Sequence, residues 1–456
     1  LTAQAARLRA YADSHPDTPL DAVASALAVH RAVFDHRAVV VGGSREELLA
    51  GLERPLVRGV ADAGGKTVFV FPGQGSQWVG MGVGLLDASP VFAAGFVEAA
   101  GAVEEWVDWS VEGVLRGEAG APSLERIEVL QPVLFTVMVA LAAVWRACGV
   151  EPDAVVGHSQ GEIAAAAVSG ALSVEDAARL VVVRSRLFAE ELVGRGAVAS
   201  VSLPPAEVQA RLEGLGGVLS VAGVNGPGSV TVAGEVPALR ELVASLEGEG
   251  VRAKVIGSTV ASHCAQVEPL RERIVDLLSF VRPRAGSVPL YSTVTGEVLE
   301  GSELTAEYWY ENCRRPVSFE PVVRRLLGEG HRAFVECSAH PVLVYGVEET
   351  ALAAGVEVCA TGTLRRGEDG PARVYASLGT AWTRGVPVDW TALYTGRGAR
   401  GTELPTYAFQ RRSYWLTAAP GRPDPVPATT ADETEARFWQ AVEAEDLEAL
   451  AGTLDL

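Results

Sequence analysis

Apolar positions run along this chain in two rhythms. Residues 67–71 and 154–156 are nearly continuous apolar runs of strand length, and each ends in a glycine turn. Residues 162–168 and 173–191 instead repeat their apolar positions at helical spacing, and the second opens on Ser173 with Asp176 three residues on, a helix-capping pair. Strands alternating with helices predict an α/β layer fold around a mostly parallel sheet. The longest apolar stretch, 133–145, is interrupted by Thr136 and bounded by Pro132 and Arg146. It is too short to span a membrane and reads as a buried helix.

Residues 197–256 change the rhythm. A strand at 197–203 precedes a helix at 205–212. Strands at 218–224 and 229–232 follow, joined by Asn225-Gly226, then a helix at 237–249 and a strand at 251–256. The order β-α-β-β-α-β is that of a ferredoxin-like unit. It interrupts the α/β pattern, which resumes from 258 to 385. Residues 1–62 read as two helices, a short strand at 38–41 and a helix capped by Ser44 with Glu47, which makes a small α+β linker domain. The large α/β subdomain then occupies 63–195 and 258–385, with the small subdomain at 196–257. The predicted fold class is therefore α/β, an α/β-hydrolase-like core with a parallel sheet plus an inserted ferredoxin-like subdomain. Residues 386–416 lose periodicity and gain aromatics, a pattern expected to pack back along a domain surface. Residues 417–456 hold a stretch with four prolines and then an acidic helix.

Composition adds exclusions. The 456 residues are 48% hydrophobic and 21% charged, which describes a folded globular chain. The net charge of −19 argues against nucleic acid or an anionic membrane surface as partner, since both need a basic footprint. Eight acids and one arginine within 431–456 leave −7 of that charge on the tail. Five cysteines (148, 264, 313, 337 and 359) make no CxxC pair, so a disulfide framework is not expected and the cytoplasm is the expected compartment. No signal peptide opens the chain, and no metal-ligand spacing is present. A helical pattern already running at Leu1 suggests a piece of something longer.

The strongest chemical signal is Gly157-His158-Ser159-Gln160-Gly161, set between a strand and a helix. That is the setting of a nucleophile elbow, in which glycines let the turn tighten and a serine oxygen stands at a helix N-terminus. A serine needs a base. Of seven histidines, His15, His30 and His36 lie outside the core, His158 should point away from Ser159, and His331 sits in a polar turn. His263 and His340 remain; His340 precedes Pro341 and reads as the start of a helix, so His263 is favoured on position. A second glycine turn, residues 71–77, ends the first core strand and is placed to supply one oxyanion N–H, with Gln160 supplying the other.

VFPGQGSQ, GHSQGE, Arg184-Ser185-Arg186, VASHC and YWYENCRRPV occur in the order found in malonyl-transferase-type acyltransferases. The chain resembles the acyltransferase domain of modular type I polyketide synthases. Residues 1–60 resemble the linker that follows a ketosynthase, LPTYAFQRRSYWL resembles the post-acyltransferase segment, and ARFWQAVEAEDLEAL resembles the entry to a ketoreductase. The resemblance implies Ser159 as nucleophile, His263 as general base, and the backbone N–H groups of Gln74 and Gln160 as oxyanion hole. It implies Arg184 as the partner of a substrate carboxylate and the backbone carbonyl of Asn312 as the group that orients the histidine. It further implies a ping-pong transfer from an acyl-CoA to the phosphopantetheine thiol of an acyl carrier protein, with no cofactor bound by this domain and no metal.

RIEVLQP and Gln160 resemble domains that take methylmalonyl-CoA. Val260 stands where that group has Tyr, and Val198 where the family often has Met, so a pocket including Ala261 and Ser262 is expected to admit a larger C2 group such as ethyl. Two other classes compete. An esterase or thioesterase would let water outcompete a carrier thiol at the acyl-serine. A non-catalytic scaffold segment would form no acyl-serine at all.

Overall fold

The computed structural model describes residues 1–55, 57–257, 260–394, 402–410, 412 and 433–453. They divide into two units, Leu1–Thr406 and Tyr407–Leu456. The second holds two helices, Glu433–Glu443 and Leu447–Thr453; the proline-rich linker lies outside the described residues.

The first unit is built on a six-stranded sheet. Its order is Val298–Leu299, Leu290–Tyr291, Ala154–Gly157, Lys66–Phe71, His331–Glu336 and Cys359–Gly362, and only the first of these runs antiparallel to its neighbour. The apolar runs at 67–71 and 154–156 fall in the two central strands, which are covered on both faces. Successive side chains leave on opposite sides. Phe69, Phe71 and Val155 join the large core under the helices Pro90–Glu104, Ile127–Ala147 and Val174–Glu191, while Val68, Val70, Ala154 and Val156 pack beneath Phe319–Gly328 and Val344–Ala353.

The helix expected at 133–145 is longer, Ile127–Ala147, and carries Pro132 inside it. A proline costs one backbone bond and a local kink, and here both neighbours of Pro132 are buried in the helix packing. By length and composition this helix is apolar enough to cross a bilayer, but 83% of its apolar window is buried inside the protein, and it is the central core helix.

Residues 197–256 form the ferredoxin-like unit. Its strands Leu219–Gly226, Ser229–Gly234, Ala197–Val201 and Ala253–Ile256 lie in that order. A fifth strand, Val317–Ser318, joins parallel to Leu219–Gly226 and stitches the insert to the main body. The turn between the central strands is Pro227-Gly228 rather than Asn225-Gly226, because Gly226 still pairs with Ser229 and Asn225 lies within the strand.

At the N-terminus the strand lies at His36–Val39 and pairs antiparallel with Val57–Val60, a strand too short and polar to show in the sequence. This hairpin rests on the helix Pro371–Thr383: Arg37 stacks on Trp382 at 4.8 Å, and a Cβ on Gly59 would stand 2.8 Å from the Thr383 carbonyl oxygen. Of the aperiodic segment, residues 404–406 lie along the N-terminal helices, where Arg31 donates to the carbonyls of Leu404 and Pro405 and Arg7 to that of Thr406. All five cysteines are buried free thiols.

Candidate active site

The strand Ala154–Gly157 ends in a turn through His158-Ser159-Gln160 into the helix Gly161–Ser169. Two glycines make the turn possible. A Cβ on Gly157 would fall 2.2 Å from the Glu162 nitrogen, and one on Gly161 would fall 2.0 Å from the Phe71 oxygen. Ser159 itself sits at φ 55°, a left-handed conformation that L-residues avoid and that the flanking packing enforces.

His263 is the second of the three non-glycine residues at positive φ among the described residues, at 61°. It stands where the chain re-enters the main body from the insert, and its backbone N–H donates to Cys313 O at 2.7 Å. Its Nε2 lies 2.8 Å from Ser159 Oγ and its Nδ1 2.8 Å from the carbonyl oxygen of Arg315. A carbonyl can only accept, so Nδ1 carries the proton and Nε2 is the basic nitrogen facing the serine. The orienting carbonyl is thus that of Arg315, three residues beyond the expected Asn312, because the chain turns out of the helix Ala306–Arg314 just there. Burial lowers the His263 pKa to about 4, with nearby His158 and Arg184 pulling the same way against the Arg315 carbonyl. The imidazole is neutral at neutral pH.

The glycine turn at 71–77 comes against the elbow. A Cβ on Gly73 would lie 3.7 Å from Ser159 Cβ. Neither the Gln74 nor the Gln160 backbone N–H donates to an acceptor among the described residues, so both remain available.

Arg184, on the helix Val174–Glu191, is buried. Its Nη1 donates to Asn312 Oδ1 at 2.8 Å, and among the described residues its Nε has no partner and no carboxylate pairs with it. A buried guanidinium with open donors is a receptor for an anion. Asn312, expected through its carbonyl, acts through its side chain, which also donates to Ser159 O at 3.2 Å and Glu162 Oε2 at 2.8 Å. Glu162 was legible only as part of GHSQGE; its fourfold hydrogen bonding is not readable from sequence. Burial pushes its carboxyl up from the ordinary range, opposed by Thr293, Tyr308 and Asn312.

Gln160 has a buried side-chain amide with both polar atoms unpartnered among the described residues. Val198 packs against Ala261 with Ala222, Ala233 and Cys264, while Val260 joins the large core and Ser262 is half-buried. His158 points away from the serine, with Nε2 2.8 Å from Asn225 Oδ1. His331 is buried at the head of its strand rather than in a polar turn: Gly330 takes the left-handed turn, and the ring packs edge-on to Tyr291. His340 does not start a helix, which begins at Val344; its Nδ1 accepts from the Arg366 N–H. Arg314, Arg315, Arg324 and Arg325 each pair with a glutamate. Among the described residues Arg365 and Arg366 are exposed without an ion pair, and Arg366 donates to Gln77 O on the glycine turn.

The acyl transferase domain family matches residues 68–388, and a family described as CurL-like, PKS C-terminal, matches residues 1–52. Polyketide synthase GfsA of Streptomyces halstedii is 48% identical over all of this chain, which spans 6% of that protein. The pikromycin synthase component PikAIII of Streptomyces venezuelae is 44% identical over 99% of the chain, again a fraction (28%) of its length. The acyltransferase domain from module 8 of the salinomycin polyketide synthase superposes with a TM-score of 0.84 at 49% identity, over 86% of this chain and 95% of that one. The malonyl CoA-acyl carrier protein transacylase of Coxiella burnetii superposes at 0.62 with 26% identity, over 71% and 98%.

Proposed function

The chain belongs to the acyl transferase domain family as found in modular polyketide synthases, and from that premise we propose that it moves a 2-alkylmalonyl unit from coenzyme A to an acyl carrier protein. One observation carries the proposal: Ser159 Oγ and a neutral His263 Nε2 meet at 2.8 Å, and the buried Arg184 has no carboxylate partner among the described residues.

His263 takes the Ser159 proton as the oxygen attacks the thioester carbon. The tetrahedral oxyanion is received by the open N–H groups of Gln74 and Gln160. The C–S bond breaks, the coenzyme A thiolate leaves with the proton from His263, and an acyl-serine ester remains. The phosphopantetheine thiol of the carrier then gives its proton to His263, attacks the ester and departs with the acyl group, while Ser159 regains the proton. Arg184 holds the free carboxylate throughout. Nucleophile and base belong to the chain, so this chemistry asks for no resident cofactor or metal.

For the C2 group we propose methyl or ethyl. Val198 and Val260 are smaller than the residues expected at those places, and Ala261 adds little bulk. A methylene in such a pocket is worth about 1–3 kcal/mol, so discrimination is modest. Competing ethylmalonyl-CoA against methylmalonyl-CoA for acylation decides between them; a strong methylmalonyl preference rejects the enlarged pocket. The working context proposed is a cytoplasmic multidomain chain with a ketosynthase and a ketoreductase as neighbours. Arg365 and Arg366, beside the glycine turn, are the proposed contact for the phosphate that donor and carrier arm share.

A further inference from the structure

Glu162 lies one turn beyond the nucleophile and is fully buried. Its Oε1 accepts from the Thr293 N–H at 2.5 Å and the Thr293 hydroxyl at 2.7 Å; its Oε2 accepts from the Tyr308 hydroxyl and from Asn312 Nδ2, both at 2.8 Å. The Asn312 amide cannot be turned round. Its Oδ1 faces a guanidinium, which only donates, so Nδ2 must face Glu162 and the Ser159 carbonyl. An unbroken line of hydrogen bonds therefore runs from Glu162 through one amide to Arg184, with a branch to the backbone of the nucleophile.

We propose that Glu162 is a positioning residue for the dicarboxylic specificity of this enzyme: it fixes the Asn312 amide, and through it aims Arg184 at the substrate carboxylate. This rests on Arg184 being the carboxylate-binding group. Replacing Glu162 by glutamine keeps the shape and exposes the mechanism. Wherever the new NH2 is placed, it meets an obligate donor, the Thr293 N–H on one side or Asn312 Nδ2 on the other. The backbone N–H is fixed by the fold, whereas the Asn312 side chain can turn. Turning it points Nδ2 at Arg184, and the guanidinium loses its acceptor.

The test compares methylmalonyl-CoA with propionyl-CoA, which differ only by the free carboxylate, in the rate of Ser159 acylation. E162Q is expected to lower the ratio of kcat/KM values for the two donors about 10- to 100-fold, the scale of a charge-assisted hydrogen bond, chiefly through KM for methylmalonyl-CoA. N312A is expected to give the same fall, and the double variant no more than either alone. N312A also carries the test should E162Q fail to fold. A loss equal for both donors would make Glu162 merely structural and overturn the proposal. If R184A collapses the ratio while E162Q and N312A leave it intact, this proposal alone fails. If R184A itself leaves the ratio unchanged, the underlying assignment fails and takes the proposal with it.

Discussion

His263 can serve as a base because burial keeps it uncharged, and that has a consequence for pH. An unfolded histidine titrates near its ordinary value of about 6.5, whereas the folded one titrates at about 4. Between those values the unfolded chain binds the extra proton, so stability is fully present above about pH 6.5 and falls as pH drops toward 4. Pre-steady-state acylation followed by short acid jumps should show the basic form of His263 persisting well below pH 6.5; a midpoint at 6.5 would contradict the buried, neutral imidazole. H263A should retain the fold and lose the acylation rate by about 100- to 10,000-fold, the usual range for removing a general base. R184A is expected to cost roughly 1.5–3 kcal/mol of transition-state binding for a carboxylated donor, read as kcat/KM against the wild type.

At the scale of elements, the elbow is a contact between two strands and one helix with no room for a side chain. G161A puts a methyl 2.0 Å from a backbone oxygen of the neighbouring strand's end, which cannot step aside. Its expected cost exceeds about 3 kcal/mol, visible as a fall in Tm together with loss of acylation; a stable, active G161A would remove the strain argument. The elbow was readable because its glycines and its strand-helix setting lie within five residues. The β-α-β-β-α-β order of the insert was readable because each of its elements carries its own period. What escaped depends on long-range pairing. Val57–Val60 is a strand only because His36–Val39 lies beside it, and Pro227-Gly228 is the turn only because Gly226 keeps its partner Ser229. Asn312 was found by position but given the wrong atom. Which carbonyl meets Nδ1 depends on where a helix ends, and Arg315 lies just past that end. Glu162 was visible as a letter in a motif, while its partners Thr293, Tyr308 and Asn312 come from more than 130 residues away.

Over the whole molecule, charge constrains docking. The chain carries −19, and the arginines at 314, 315, 324 and 325 each pair with a glutamate, whereas Arg365 and Arg366, the latter bonded to the glycine turn, are exposed without an ion pair among the described residues. Reversing both, R365E with R366E, should raise KM for a coenzyme A thioester and leave the matching pantetheine thioester, which lacks the phosphate, unchanged; equal effects on the two would place the phosphate elsewhere. The proposed reaction has Ser159 accept a 2-alkylmalonyl group and pass it to a carrier thiol. Intact-mass measurement after mixing the protein with a panel of coenzyme A esters reads this in one step. The expected result is the added mass of one methylmalonyl or ethylmalonyl group on Ser159, absent in S159A and discharged by the carrier protein faster than by water. A protein that stays unmodified with every malonyl-type ester, or whose acyl group goes to water despite the carrier, would contradict it.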